Sequence, residues 1–183
     1  NEWTDCHRKK AGRFDPEERL ARIRATYFAD PGVSFGRAPI PVTSQAVAGY
    51  PENAWAMHRG VMFATLHVVG SNNNFTPSDK AAVAELRARE AAALQWIANS
   101  FAAAGRSEAA VIAIHADMFR DAKTADKAGW PRKSGYARIA PAFRDAAAAF
   151  GKPVLLIFGD SHEHRVFQPF PRSAPNVTAM EVY

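Results

Sequence analysis

An α/β layered fold is what this sequence predicts, and three observations predict it. The runs Val61 to Val69 (VMFATLHVV), Ala109 to Asp117 (AAVIAIHAD) and Lys152 to Gly159 (KPVLLIFG) are apolar through most of their length rather than in alternation. That is the pattern of strands covered on both faces. Stretches of helical composition separate them, so strand and helix alternate along the chain. Two shorter runs near the end, RVFQPF and NVTAMEVY, flank a proline-rich turn and read as an added antiparallel portion.

The remaining elements follow in order. DPEERLARIRATYF reads as a helix: Asp15 caps, Pro16 takes the first turn, and Glu17 and Glu18 suit the positive end. Leu20, Ile23 and Tyr27 then share a face. Residues 30–59, rich in Pro and Gly, read as an irregular connection, with His58 a hydrogen-bonded packing residue. GSNNNFTPS ends the first strand. A long helix from about Ser78 to Ala104 follows, built from Ala, Leu, Arg and Glu, with Trp96 and Phe101 toward the core. Residues 118–136 read as a loop, and APAFRDAAAAFG as a short helix closing at Gly151.

The 183 residues, 48% of them hydrophobic and 22% charged, suit a single domain spanning 1–183 with a core of its own. Cys6 is the one cysteine, which excludes an internal disulfide framework. No apolar run is long enough to cross a bilayer, and no signal peptide is visible. The opening NEWTDC lacks an initiator methionine and reads as a fragment or a processed form. The net charge of +5 comes from scattered Lys and Arg. The one dense basic run, His7 to Arg13, reads as a solvated loop, and no nucleic-acid motif accompanies it. An anionic substrate fits the charge.

Ligands in open α/β sheets gather beyond the carboxyl ends of the strands. Here those ends read HVVGSNNN, IHADMF and FGDSHEH. If the strands are parallel neighbours, His115 and the Asp160/His162 pair project into one crevice. Imidazole with carboxylate suits Zn, Mn or Fe. In an extended segment Asp160, His162 and His164 point the same way. His67 reads as a core histidine or a donor behind the site. Asn72 and Asn73 fit two readings, amides set against a substrate or a turn tolerant of left-handed backbone. Arg165 fits two as well, a bidentate phosphate ligand or an exposed solvated arginine.

These blocks resemble the C-terminal half of the calcineurin-like metallophosphoesterases. LQWIANSFAAAG followed by AAVIAIHAD is similar to the family's helix and the strand that delivers its fourth-block histidine, here His115. FGDSH resembles the last block, G-H-x-H, with Gly159 at the glycine, Asp160 at the first histidine and His162 at the second. An alternative register sets His162-x-His164 on H-x-H. NEW resembles the tail of the third block, with Asn1 at the catalytic histidine. The resemblance therefore sets the family's first two blocks, D-x-H and G-D-x-x-D, ahead of residue 1.

The resemblance implies a four-layer α/β/β/α sandwich of which this chain is the C-terminal half. It implies hydrolysis of a phosphomonoester or phosphodiester at two transition metals (Zn, Mn or Fe), with His115 and His162 as ligands and Asp160 as a ligand or the orienter of one. It also implies a sheet face that a partner chain or a second copy covers. The competing expectation is a catalytically silent binding domain with a degenerate site.

Overall fold

The computed structural model describes residues 2–119, 130 and 133–183. Two N-terminal helices, α1 (Glu2–Asp5) and α2 (Pro16–Tyr27), precede a hairpin of β1 (Thr43–Gln45), β2 (Tyr50–His58) and β3 (Val61–Thr65). Then come α3 (Lys80–Ala103), β4 (Ala109–Ala113), α4 (Ile139–Phe150), β5 (Val154–Phe158), β6 (Arg165–Phe167) and β7 (Val177–Glu181).

The seven strands form one mixed sheet in the order β1-β2-β3-β4-β5-β7-β6. Strands β3, β4, β5 and β7 run parallel at its centre. The β1–β2–β3 hairpin extends one edge antiparallel, and β6 pairs antiparallel with β7 at the other. The protein is thus mixed α/β, and four strand carboxyl ends, at Thr65, Ala113, Phe158 and Glu181, lie along one rim.

Period-two alternation divides the sheet into unlike faces. Met62, Ala64, Ala110, Ile112, Val154, Leu156, Phe158, Val177 and Ala179 are buried on one face. There α3 contributes Ala93, Trp96, Ile97 and Phe101, and α4 contributes Ile139, Phe143 and Ala147. On the other face Val111, Ala113, Leu155, Ile157 and Met180 are only half-buried, and Phe63 is 46% exposed. The segment after α2 stands across from that face. Its Phe28, Val33, Phe35, Ile40 and Val42 meet Trp55, Phe63, Val111 and Ile157 around a cavity of about 520 Å³.

Local chemistry explains the helix ends. Asp15 accepts the Glu18 amide at 2.8 Å, and Asp79 accepts those of Ala81 and Ala82 at 2.9 and 3.2 Å. Gly151 closes α4 at φ 69°, where a side chain would be strained.

Several expectations need correction. Residues 30–59 are not an irregular connection, because β2 alone is nine residues long. Pro51, Glu52 and Asn53 disguised it. Fully buried Asn53 is satisfied by Gln45 and by the His67 amide, both at 2.7 Å, so a polar residue sits at an interior strand position without penalty. His58 is exposed at the end of the hairpin and is not a packing residue. Tyr27 is 60% exposed and does not share the burial of Leu20; it sets its ring edge on Phe35 instead. Strand β3 stops at Thr65, four residues short of Val69. Of the predicted loop 118–136, residues 120–129, 131 and 132 lie outside the described residues.

An apolar sheet face covered only in part favours association. In sedimentation analysis the chain is expected to self-associate with concentration, and Phe63→Lys is expected to weaken that association. A monomer that stays monomeric at high concentration and unfolds cooperatively above about 65 °C would contradict it.

Candidate functional site

The rim begins where β3 ends. Gly70–Asn73 form a single helical turn, but φ at Ser71, Asn72, Asn73 and Asn74 is 52°, 56°, 56° and 63°, so the turn is left-handed. Such backbone costs L-residues free energy, least for Asn. The side chains repay it. Asn73 is fully buried; its Oδ1 accepts from the Val69 amide at 3.3 Å, and its Nδ2 donates to the Gly135 carbonyl at 2.9 Å. Asn72 accepts from the Gly135 amide at 2.8 Å and donates to the Lys133 carbonyl at 3.2 Å. Gly135 is required here, since a Cβ would come within 2.1 Å of the Asn72 carbonyl oxygen.

Arg89 of α3 locks the turn from beneath and is itself fully buried. Its guanidinium donates to Asn73 Oδ1 at 2.5 Å and to the Asn73 carbonyl at 3.0 Å. The Glu85 carboxylate accepts from Nε at 2.6 Å and from Nη2 at 3.0 Å. This bidentate, charge-assisted pairing is what makes a buried guanidinium tolerable.

Tyr136 stands between this first half of the rim and the second. Its hydroxyl donates to the Val69 carbonyl at 2.9 Å. Burial pushes the phenol pKa up, and the nearby carboxylates of Asp160 and Asp117 push it further.

The second half is built by β4, β5 and β7. The His115 and Ala116 amides both donate to the Val68 carbonyl at 3.1 Å, and the Gly159 amide donates to the His115 carbonyl at 3.1 Å. The backbones of His115 and of the Asp160 loop are therefore adjacent. A Cβ on Gly159 would sit 3.3 Å from the Val182 carbonyl, a tight contact that glycine avoids.

Fully buried Glu181 is the hub. It accepts the hydroxyl of Ser161, the Ser161 amide at 3.2 Å and Nε of Arg165 at 2.5 Å. Nη2 of Arg165 donates to buried Asp117 at 2.5 Å. Burial raises the Glu181 pKa, but the hydrogen bonds from Ser161 and Arg165 outweigh it and hold it low. Burial lifts Asp117 above the usual carboxylate range despite its bonds to the Phe119 amide and Arg165.

The predicted site residues divide accordingly. His115 and Asp160 stand half-buried at adjoining strand ends. His162 is exposed, its ring centroid 5.8 Å from that of Tyr183 in an edge-on contact. His164 is exposed too, with Nδ1 3.0 Å from the Glu181 carbonyl. The expectation that Asp160, His162 and His164 alternate fails, because Asp160 and His162 have φ of 91° and 59° and the segment is not extended. Arg165 gives two of its donor nitrogens to Asp117 and Glu181. Asn72 and Asn73 spend their amides stapling the turn. Asn1 lies outside the described residues.

Sequence reasoning missed Asp117, Ser161, Glu181, Tyr136 and Arg89. Of these, Glu181 left a readable signal, an acid in register with the core positions Val177 and Ala179. Two D-x-H triplets do occur, Asp5-Cys6-His7 and Asp160-Ser161-His162. Neither is followed by G-D-x-x-D.

Among the described residues no group of three or more His, Cys, Asp or Glu side chains stands together so as to hold a metal ion. The donors at the rim are of the right chemical kind for a transition metal, yet they do not form a holding set by themselves. No described helix is long and apolar enough to cross a membrane. Compared with family models, curated proteins and solved structures, the chain matches none.

Replacing Arg89 by Met should destabilise the fold by about 2–4 kcal/mol, because buried Asn73 loses the donor to its main-chain oxygen and half-buried Glu85 keeps only Asn74. Urea unfolding with an unchanged m-value checks this. A loss under about 1 kcal/mol would show that the left-handed turn stands without the guanidinium.

Proposed function

We propose that this chain is one half of a metal-dependent phosphoester hydrolase. It supplies His115, Asp160 and His162 to a centre whose other ligands come from a second segment bearing D-x-H and G-D-x-x-D. The observation that carries the reading is the convergence at the carboxyl rim, where the β4 and β5 ends are joined backbone to backbone at His115 and Gly159. Backbone strain supports it. Six of the eight described non-glycine residues with positive φ (Ser71 to Asn74, Asp160 and His162) follow the β3 and β5 ends. Strained backbone held in place by hydrogen bonds is characteristic of functional sites.

The half-open sheet supports the sandwich. One face is closed by α3 and α4; on the other the segment after α2 faces Phe63, Val111 and Ile157 across a cavity, and Leu155 and Met180 lie half-buried beyond it. A second sheet packed there would complete an α/β/β/α arrangement. The substrate class is a phosphomonoester or phosphodiester, and the metals are Zn, Mn or Fe.

A second reading has its own observation. The lack of a metal-holding group among the described residues, with Arg165 clamped by Asp117 and Glu181, favours a silent binding module with a degenerate site.

Metal stoichiometry separates the two. The chain alone, dialysed against Zn²⁺ or Mn²⁺ and measured by elemental analysis, is expected to retain less than one ion. Joined to a segment carrying D-x-H and G-D-x-x-D, it is expected to retain about two, and His115→Ala with His162→Ala should abolish at least one. Unchanged stoichiometry in that double variant would favour the silent module.

A further inference from the structure

The contact between Trp3 and His67 assigns a protonation state. Indole Nε1 can only donate, and it points at Nε2 of His67 from 3.1 Å. Nε2 must therefore carry a lone pair, and the neutral ring bears its proton on Nδ1. That atom lies 2.6 Å from Oε1 of Glu52. Glu52 is held in turn by Arg24, whose Nη2 and Nε reach its two oxygens at 2.5 and 3.0 Å.

The charged groups facing His67 come from three elements: Glu52 of β2, Arg24 of α2 and Arg89 of α3. Burial lowers the imidazole pKa most, and the two guanidiniums lower it further against the pull of Glu52. Burial also raises Glu52, but the bonds from His67 and Arg24 outweigh this and leave it at about 2. Glu52 thus stays ionised throughout the range in which the histidine titrates.

Trp3 is the buried anchor of α1 and packs with Leu20, Ile23 and Val69. Asp5 of α1 accepts the Ser71 hydroxyl at 2.7 Å, and Arg8, just beyond α1, donates to Ser71 Oγ at 3.3 Å. What holds Trp3 therefore holds α1 against the left-handed turn at the rim.

We propose that His67 is a positioning residue that works as a proton-sensitive latch: its neutral ring docks Trp3 and α1 on the rim, and protonation at Nε2 sets two donors face to face and releases them. The sign follows from linkage. Docked His67 binds fewer protons than undocked His67, so docking is full above the ordinary histidine value near 6.5 and weakens as pH falls below it. The latch is independent of the hydrolase reading, because none of its parts is a proposed ligand.

The test is spectroscopic and uses the intact chain without metal. The Trp3 indole N–H resonance, assigned by its loss in Trp3→Phe, is followed from pH 8 to 4.5. It is expected to move in wild type and to stay in His67→Gln, whose amide accepts from indole without titrating. The opening constant of the Cys6 amide, corrected for intrinsic exchange, is expected to rise about tenfold per pH unit below 6.5 in wild type and to stay flat in His67→Gln. If His67→Gln does not fold, the wild-type imidazole ¹⁵N shifts decide. A proton on Nδ1 and a bare Nε2 at pH 7 support the latch. A charged ring at pH 7, a static indole, or the same pH response in both proteins would overturn it.

Discussion

One buried cation governs the geometry of the rim. Arg89 comes from the middle of a long helix, yet its guanidinium is spent on a turn that the chain would not otherwise adopt. Four successive residues in left-handed backbone cost several kcal/mol together. Asn73 offers Arg89 both its side-chain and its main-chain oxygen only in that conformation. The helix, the turn and segment 133–136 are thereby tied into one unit that Tyr136 anchors to the Val69 carbonyl, and the His115 and Ala116 amides on the Val68 carbonyl join it to the second half of the rim.

The second half repeats the device with Arg165. Here one guanidinium bridges Asp117 beyond β4 and Glu181 at the end of β7, while Ser161 leans on the same glutamate. The Asp160–His162 loop is thus held just before its start, at Gly159 by His115, and at its middle, at Ser161 by Glu181. Both arginines serve to hold loops still. The rim is a hydrogen-bonded framework on which His115 and Asp160 stand half-buried and His162 and His164 exposed.

Much of the fold was legible because burial on both faces leaves a mark in composition. β3, β4, β5 and the long helix follow their apolar runs, with ends displaced by a few residues. β2 was hidden because its interior positions include Asn53 and its neighbours are Pro51 and Glu52; tertiary hydrogen bonds, which composition does not record, satisfy them. At the site, His115 and Asp160 were legible as strand-end residues. The supposed alternation of Asp160, His162 and His164 was not, since positive φ breaks the period of two. Asn72 and Asn73 announced a turn by residue type, but their partners lie more than sixty residues away. Asp117 and Tyr136 left no signal, because each matters only for what the fold brings beside it.

The central claim is that the carboxyl rim is one half of a composite centre completed by donors from a second segment. Anomalous diffraction at the Zn or Mn edge, from crystals of this chain joined to a segment bearing D-x-H and G-D-x-x-D, tests it most directly. The account predicts two peaks at the rim beside His115 and the Asp160–His162 loop, with the added segment covering Leu155 and Met180. Peaks elsewhere, or a rim without metal while the open sheet face remains bare, would contradict it.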